Sequence, residues 1–245
     1  MSTLSPAQRL FVAIDTPDAS HAARLARELA TTGCGIKLGL EFFSANGPAG
    51  VEQVTLAAPQ APLFLDLKFH DIPNTVAAAV RSALALNPFI LNVHAGGGAA
   101  MMKAAADAAA RGTSRRPMVI AVTVLTSLDD GDLTAVGQTP PAAGQVTRLA
   151  KLTKSAGLDG VVCSAHEAAH LRATLGPDFK LIVPGIRPAG SAVGDQKRVM
   201  GPADAIRAGA DILVVGRPIT EASHPIAAAH AIIDDIAGAT GSAGK

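Results

Sequence analysis

Short apolar segments recur along the chain, and stretches with helical periodicity separate them. Eight of these segments are predicted to be β-strands: Leu10–Ile14, Gly35–Leu38, Leu63–Leu67, Phe89–Val93, Met118–Val124, Gly160–Cys163, Lys180–Val183 and Asp211–Val215. The helices predicted between them include Ala19–Ala30, Thr75–Leu86, Ala99–Ala110, Gln145–Ala156, Glu167–Leu175 and Ile226–Ile236. Regular alternation of strand and helix is typical of a parallel sheet.

Eight strand–helix repeats in 245 residues, with no linker between them, predict an α/β fold made of a single (β/α)8 barrel. We expect this domain to span residues 1–237, and the small and polar residues 238–245 to form a flexible tail. An open, doubly wound sheet is the alternative. It fits less well because the first strand is followed by Asp15-Thr-Pro-Asp18, where such folds place a Gly-x-Gly-x-x-Gly turn.

Polar residues lie at the C-terminal end of every predicted strand, where barrels place their active sites. They are Asp15, Lys37, Asp66 with Lys68, His94, Thr126 with Ser127, Ser164, Arg187, and Gly216 with Arg217. The strand starts are mostly apolar or small. Folding alone does not require a polar group at each end on one rim, so this pattern indicates a functional site.

Residues 63–75 carry the densest group of charges on this rim. Asp66 and Lys68 are two residues apart in a predicted strand, so their side chains should point to the same side. Asp71 follows just before Pro73, a residue favoured in the first turn of a helix. A structural ion pair and a helix cap would account for the three charges without any chemistry. The alternative is an acid–base site in which Lys68, flanked by carboxylates, is a proton donor.

The stretch Phe64-Leu-Asp-Leu-Lys-Phe-His-Asp-Ile-Pro-Asn-Thr75 closely resembles the signature of the orotidine 5′-phosphate decarboxylase family. The resemblance covers roughly residues 10–235, and its further motifs are Val12-Ala-Ile-Asp15, Ile36-Lys-Leu-Gly39, Ala121-Val-Thr-Val-Leu-Thr-Ser127, Pro184-Gly-Ile-Arg-Pro188 and Val215-Gly-Arg-Pro218. It implies a barrel enzyme that decarboxylates orotidine 5′-phosphate to UMP, the last step of UMP synthesis. No cofactor and no metal are implied.

The resemblance also implies roles for the charged residues. Lys68 would protonate C6 of the pyrimidine within a charge network of Lys37, Asp66, Lys68 and Asp71. Asp15 and Lys37 would bind the ribose hydroxyls. Asp71 and Thr75 would be supplied to the site of a neighbouring subunit, which makes the enzyme a homodimer with shared active sites.

The remaining substrate contacts lie on later strands. By the resemblance, Thr126 and Ser127 would contact the pyrimidine edge, and the phosphate side would comprise Arg187, Gln196, Gly216 and Arg217. The residues on the phosphate side also fit the general tendency of barrels to hold phosphate in the loops after strands seven and eight. A solvated arginine beside a turn glycine is the ordinary alternative for Arg217, and the glycines at 96–98, before a helix, are a rival phosphate cradle.

Two long loops follow strands five and seven. Residues 126–144 contain Asp, Gly and a Pro-Pro pair, so we expect irregular structure there. Residues 185–201 contain glycines beside Gln196, Lys197 and Arg198, which suits a mobile lid that grips an anion.

Composition narrows the classes of partner. The chain is 49% hydrophobic and 17% charged with a formal net charge of +1, which gives no electrostatic reason to expect nucleic acid or a membrane surface. Cys34 and Cys163 are far apart and lie in apolar company, as free thiols of a cytoplasmic protein do. Neither they nor His70 and His94 have the spacing of a metal site.

Two other functions compete with the decarboxylase. Sugar-phosphate decarboxylases or epimerases of the same barrel group, such as 3-keto-gulonate-6-phosphate decarboxylase, have a similar Asp-x-Lys-x-x-Asp but use Mg²⁺ with an acid at the end of strand two. Here that position is Lys37, a cation that would oppose metal binding. A barrel that merely binds nucleotides as a sensor is the second. It would not require Lys68 beside two acids.

Overall fold

The structure is a computed structural model that describes residues 4–111, 115–188 and 200–241. In these ranges the strands are β1 (Leu10–Ile14), β2 (Gly35–Leu38), β3 (Leu63–Phe69), β4 (Ile90–His94), β5 (Met118–Val122), β6 (Gly160–Val162), β7 (Lys180–Val183) and β8 (Ile212–Val215). Each strand pairs in parallel with the next, and β8 pairs with β1, so the sheet closes into a barrel. The predicted (β/α)8 barrel is confirmed.

Helices cover the outside of the barrel. Those described are α1 (Ala19–Ala30), α2 (Leu40–Ala57), α3 (Pro73–Ala83), α4 (Gly98–Ala110), α5 (Asp130–Ala135), α6 (Ala142–Ser155), α7 (Ala165–Leu175), α8 (Pro202–Arg207), α9 (Arg217–Thr220) and α10 (Pro225–Gly241). Their apolar faces pack on the outward side chains of the strands to form one continuous layer. Within the described ranges, no helix combines the length and the apolar character that crossing a membrane requires.

The structure differs from the predicted elements in two loops and at the C-terminus. The region 126–144, expected to be irregular, contains α5, because Asp129 caps that helix by accepting hydrogen bonds from the backbone N–H groups of Gly131 and Asp132. The last helix continues past the boundary expected at residue 237, because Ala239 is buried against the core. The predicted lid falls mainly on residues 189–199, outside the described ranges.

The interior of the barrel is apolar at its lower end. Inward-facing side chains from six strands form this inner cluster, namely Phe11, Ala13, Phe64, Ile90, Ile120, Ile182, Ile212 and Val214. The ring of Phe11 occupies the space beside Gly35, where any Cβ would lie 2.4 Å from the ring. This apolar plug fills the lower end of the barrel, so the space for a ligand lies toward the other end.

Partly buried aspartates link neighbouring strands at the lower rim, by which we mean the N-terminal ends of the strands. Asp159, just before β6, accepts hydrogen bonds from the Val119 backbone N–H (2.7 Å) and from Arg116 (2.9 Å). Asp211, just before β8, repeats the arrangement with the Leu181 backbone N–H (2.9 Å) and with Arg172. Each aspartate thus joins its own strand to the preceding one.

Candidate active site

Four charged side chains meet at the upper rim, by which we mean the C-terminal ends of the strands. Lys37 Nζ lies 3.3 Å from Asp15 Oδ1 and 3.1 Å from Asp66 Oδ2. Lys68 Nζ lies 2.7 Å from Asp66 Oδ1. Acid and base therefore alternate from β1 to β3, in the order Asp15, Lys37, Asp66, Lys68. A side chain at Gly39 would begin 3.0 Å from Lys37 Nζ, so the glycine leaves room for this cluster.

The backbone of β3 is distorted where it carries the cluster. The five residues of β3 from Leu65 to Phe69 lie opposite only three residues of β4, Leu91 to Val93, which is a β-bulge. Inside it Lys68 adopts a φ of 50°, in the left-handed region that costs a residue with a side chain about 1–3 kcal/mol. Simple strand alternation therefore predicted the meeting of Asp66 and Lys68 but not the backbone that achieves it.

Asn92, an inward-facing residue of β4, forms hydrogen bonds with both Asp66 and Lys68 of the bulge. Its Nδ2 donates to Asp66 Oδ1 at 2.6 Å, and its Oδ1 accepts from the Lys68 backbone N–H at 2.8 Å. The side chain is almost completely buried. Sequence reasoning missed this residue, although a single Asn inside the apolar run Ile90–Val93 was the signal that could have found it.

The cluster keeps its charges although it is largely buried. Burial by itself raises the pKa of Asp66, but Lys37, Lys68 and Asn92 together bring that pKa below its ordinary value. Burial by itself lowers the pKa of Lys37, but Asp66 and Asp15 outweigh it and raise that pKa. Both partners are therefore ionised at neutral pH, and the site is a preformed array of fixed charges.

A cavity opens directly beside the cluster. Lys37, Asp66, Lys68 and Asn92 form its charged wall. The rest of its lining is mainly apolar and comes from β3 and β5 to β8, namely Phe64, Val122, Val124, Leu125, Thr126, Val162, Cys163, Ile182, Pro184 and Val214. Burial raises the pKa of the Cys163 thiol, which is therefore neutral and apolar in this wall. A planar, uncharged ring would suit the apolar wall, and an anionic substituent would face the two ammonium groups.

Two of the predicted site residues lie away from the cavity. Asp71 and Thr75 are exposed on the outside of the barrel, at the start of α3. The carboxylate of Asp71 accepts a hydrogen bond from the Ile72 backbone N–H at 2.6 Å, and in this single chain it does not join Asp66 and Lys68. The side chain of Ile72 beside it is 67% exposed, which is unusual for an isoleucine.

The predicted pyrimidine and phosphate contacts that the structure describes lie just beyond the C-terminal ends of β5, β7 and β8. Thr126 lines the cavity, and Ser127 beside it is exposed. Gly216 and Arg217 form the junction of β8 and α9. Arg187 follows β7, where its backbone N–H donates to the Met200 carbonyl at 3.0 Å. Gln196 lies outside the described residues.

Two histidines stand at the edge of the site. The rings of His70 and His94 are 5.4 Å apart, and burial with the nearby His70 and Lys68 lowers the pKa of His94. Across residues 4–111, 115–188 and 200–241, no three His, Cys, Asp or Glu side chains form a group that could hold a metal ion.

A closed parallel barrel with an array of ionised side chains at the C-terminal strand ends defines a (β/α)8-barrel enzyme with its site at that rim. Comparison with known families then makes the assignment specific. Residues 8–232 match the model of the orotidine 5′-phosphate decarboxylase / HUMPS family, and the chain belongs to that family.

Curated and solved relatives agree with this assignment. The chain is 56% identical over 234 residues to orotidine 5′-phosphate decarboxylase from Rhodospirillum rubrum, covering 94% of each chain. It is 52% identical over 234 residues to the protein of that name from Chromobacterium violaceum, covering 96% of this chain and 92% of the relative. The crystal structure of orotidine 5′-phosphate decarboxylase from Lactobacillus acidophilus superposes with a TM-score of 0.83 at 36% identity, covering 94% of this chain and 99% of the other.

Proposed function

We propose that this protein decarboxylates orotidine 5′-phosphate to UMP, in pyrimidine biosynthesis, without a cofactor. The observation that carries the proposal is the Asp66–Lys68 contact of 2.7 Å at the wall of a cavity, in a chain that belongs to this family. Lys68 and Asp66 are the catalytic pair, and Lys37 and Asp71 complete their charge network.

The chemistry follows from where the charges stand. A substrate carboxylate placed beside Asp66 would be repelled by about 4 kcal/mol at ~4 Å and an effective dielectric near 20. When the bond from C6 to the carboxylate breaks, CO2 leaves as a neutral molecule and the electron pair stays on C6. The Lys68 ammonium stabilises that carbanion and then transfers one N–H proton to C6, which leaves UMP and a neutral amine.

The other predicted residues bind the substrate. Asp15 and Lys37 hold the ribose hydroxyls, since their side chains lie together at the ends of β1 and β2. The pyrimidine edge is bound by Thr126 and Ser127. The phosphate is bound by a group on the opposite side of the mouth, namely Arg187, Gln196, Gly216 and Arg217. Binding energy from the phosphate can then be used to hold the ring against Lys68.

The catalytic form is a homodimer in which Asp71 and Thr75 enter the partner's site. Their exposure on the outer surface, next to the exposed Ile72, supports this arrangement, because side chains that serve their own cavity would face it. A two-fold axis would complete both sites at once. A cytoplasmic location fits a pyrimidine-synthesis enzyme with two free cysteines.

Mixing two inactive variants tests the shared site. Lys68→Ala and Asp71→Ala proteins are dissociated reversibly and allowed to reassociate together. With Asp71 in trans, a mixed dimer has one site with both mutations and one with neither. Random pairing gives about half mixed dimers and so returns about a quarter of native activity. If mixing returns no activity although labelled subunits exchange, Asp71 acts within its own chain.

A metal-dependent sugar-phosphate decarboxylase of the same family model is the second candidate. The position of Lys37 argues against it, because the ammonium group sits within 3.3 Å of Asp15 and Asp66, the carboxylates that would have to bind Mg²⁺. An ammonium already neutralises these oxygens, so a divalent cation would have to displace it.

One assay separates these functions. Purified protein treated with EDTA is mixed with orotidine 5′-phosphate, and the ultraviolet absorbance of the pyrimidine is followed. We expect full turnover to UMP without added metal. Activity that EDTA abolishes and Mg²⁺ restores would favour the metal-dependent candidate, and binding without turnover would favour a nucleotide sensor.

A further inference from the structure

Among the described residues of β4, Asn92 is the only one whose side chain forms hydrogen bonds with Asp66 and Lys68. The residue is 1% exposed, and both ends of its amide form hydrogen bonds: Nδ2 donates to Asp66 Oδ1, and Oδ1 accepts from the Lys68 backbone N–H. If the amide were rotated by 180°, its oxygen would face the Asp66 carboxylate and its NH2 group would face the Lys68 N–H. Neither pair can form a hydrogen bond, so only one orientation of the amide is possible.

The Lys68 backbone depends on this contact. The bulge shifts the pairing of β3 with β4 between Leu65 and Phe69, and Asn92 Oδ1 takes the Lys68 N–H at 2.8 Å. Lys68 has a left-handed φ of 50°, and its Nζ lies 2.7 Å from Asp66 Oδ1. Without the amide, this partly buried N–H would lose its acceptor, and a more ordinary φ would direct the ammonium elsewhere.

The Asp66 carboxylate depends on it as well. Its Oδ1 receives both Lys68 Nζ and Asn92 Nδ2, while its Oδ2 faces Lys37. The three contacts together fix the rotation of the carboxylate. Removing the amide leaves two flexible lysines as its restraints, and each of them can move with the carboxylate.

We propose that Asn92 is a positioning residue for the decarboxylation, which acts by holding the Asp66 carboxylate and the Lys68 backbone in the geometry for proton transfer. The inference rests on the proposed function and assigns it a further residue. Asn92 itself does not exchange a proton with the substrate. Its role is to make one arrangement of Asp66 and Lys68 persist before the substrate binds.

Two substitutions test the role. Asn92→Ala removes both hydrogen bonds, and we expect kcat to fall about 100-fold, as for a displacement of about 1 Å at a reacting group. The affinity for UMP should change by less than about 3-fold, because ground-state binding is retained. Asn92→Asp keeps the acceptor for the Lys68 N–H but can donate to Asp66 only when the new carboxyl is protonated.

The pH profile of Asn92→Asp is the readout that a merely structural role would not change. The charged or titratable groups around this position are Lys37, Asp66, Lys68, His94 and Cys163, with Asp15 in contact with Lys37. We expect the ratio of variant to native kcat to rise as the pH is lowered, since the protonated acid restores the donor. Asn92→Ala should give a flat ratio over the same range.

Thr123→Val is the matched control. It removes another buried hydrogen bond at this rim, from Thr123 Oγ1 to the Val162 carbonyl at 2.9 Å, and the residue is 6% exposed. We expect its melting temperature to fall and its kcat to stay native. If Thr123→Val and Asn92→Ala lose kcat in proportion to their melting temperatures, or if Asn92→Ala keeps native kcat, the positioning role is overturned.

A measurement without substrate keeps this inference separate from the proposed function. The pKa of Asp66, followed by carboxyl ¹³C NMR in the native protein and in Asn92→Ala, should rise when the amide donor is lost. Native protein that does not turn over orotidine 5′-phosphate would refute the proposed function, and the NMR shift would then stand by itself. An unchanged pKa of Asp66 would overturn the claim that Asn92 holds that carboxylate.

Discussion

The two rims of the barrel use the same types of charged residue in opposite ways. At the lower rim, Arg172 makes five hydrogen bonds, to the carbonyls of Gly176, Phe179 and Gly209 and to Asp211, so each guanidinium N–H has a partner. At the upper rim, Lys68 Nζ has three N–H groups, and its one partner among the described residues is Asp66. Arg172 is satisfied, and Lys68 has donors left for a ligand.

The partners of the aspartates also differ in kind between the two rims. Asp159 and Asp211 accept backbone N–H groups of the neighbouring strand, so their charges extend the sheet. Asp66 instead lies between two ammonium groups beside a cavity. Burying ions is costly, and saturated pairs offset that cost within the fold. A charge cluster that is open to a cavity contributes less to folding, which is why we assign it to chemistry.

The largest expected effect comes from a matched pair of lysines, one on each rim. Lys68→Ala should lower kcat by at least about 10⁴-fold, since both the proton donor and the charge that stabilises the carbanion are lost. Binding of UMP and the melting temperature should change little. Lys180→Ala removes a lysine that lies 3.5 Å from Asp211 at the lower rim, and its kcat should remain native.

Steady-state kinetics with orotidine 5′-phosphate and calorimetric binding of UMP measure these changes. A Lys68→Ala protein with a tenth of native kcat would show that the proton comes from another group. A large loss of kcat in Lys180→Ala would show that the two rims are not functionally distinct.

The next largest effect is expected for a pair of arginines, one on each rim. Arg217→Ala, at the upper rim, should weaken transition-state binding by about 2–5 kcal/mol in kcat/KM, because the phosphate loses its cationic partner. Arg172→Ala, at the lower rim, should leave kcat/KM unchanged and lower the free energy of unfolding by about 2–3 kcal/mol, because several carbonyls and Asp211 lose their donor.

Orotidine without its phosphate is the control substrate for Arg217. The native protein should use it poorly, and Arg217→Ala should cause little further loss with it. Equal losses with both substrates would place Arg217 outside the phosphate site. Urea unfolding of both variants shows whether stability and activity separate by rim, as the contact patterns predict.

The fold could be predicted because each barrel strand is a short, mainly apolar run that can be recognised without knowledge of its neighbours. The helix α2 was harder to recognise, since Gly47 has a non-helical φ of 60° and Pro48 follows it, so the helix is two segments joined at a kink. The helix α5 was missed because its cap depends on Asp129 within a segment rich in turn residues.

The candidate site was only partly predictable for a similar reason. The charges of β3 are close in sequence, and simple alternation brought Asp66 and Lys68 together. The contacts of Asn92 join residues 24 and 26 positions apart, across a bulge that local sequence does not specify. The roles proposed for Asp71 and Thr75 involve a second chain, so the contacts within one barrel could not decide them.

The smallest expected effect is the acid limb of the stability curve, which tests whether the upper-rim cluster also supports folding. The pKa of Asp66 is lower in the folded protein than its unfolded value of about 3.9. Stability from this group is therefore present above about pH 3.9 and is lost as the pH falls through the lower, folded pKa. Native protein should lose stability in this range more steeply than Asp66→Asn, which has no proton to take up there. Thermal unfolding between pH 2.5 and 6 measures the difference, with Asp107→Asn, from the exposed pair with Lys103, as control. Parallel curves for native protein and Asp66→Asn would show that the cluster contributes nothing to the pH dependence of folding.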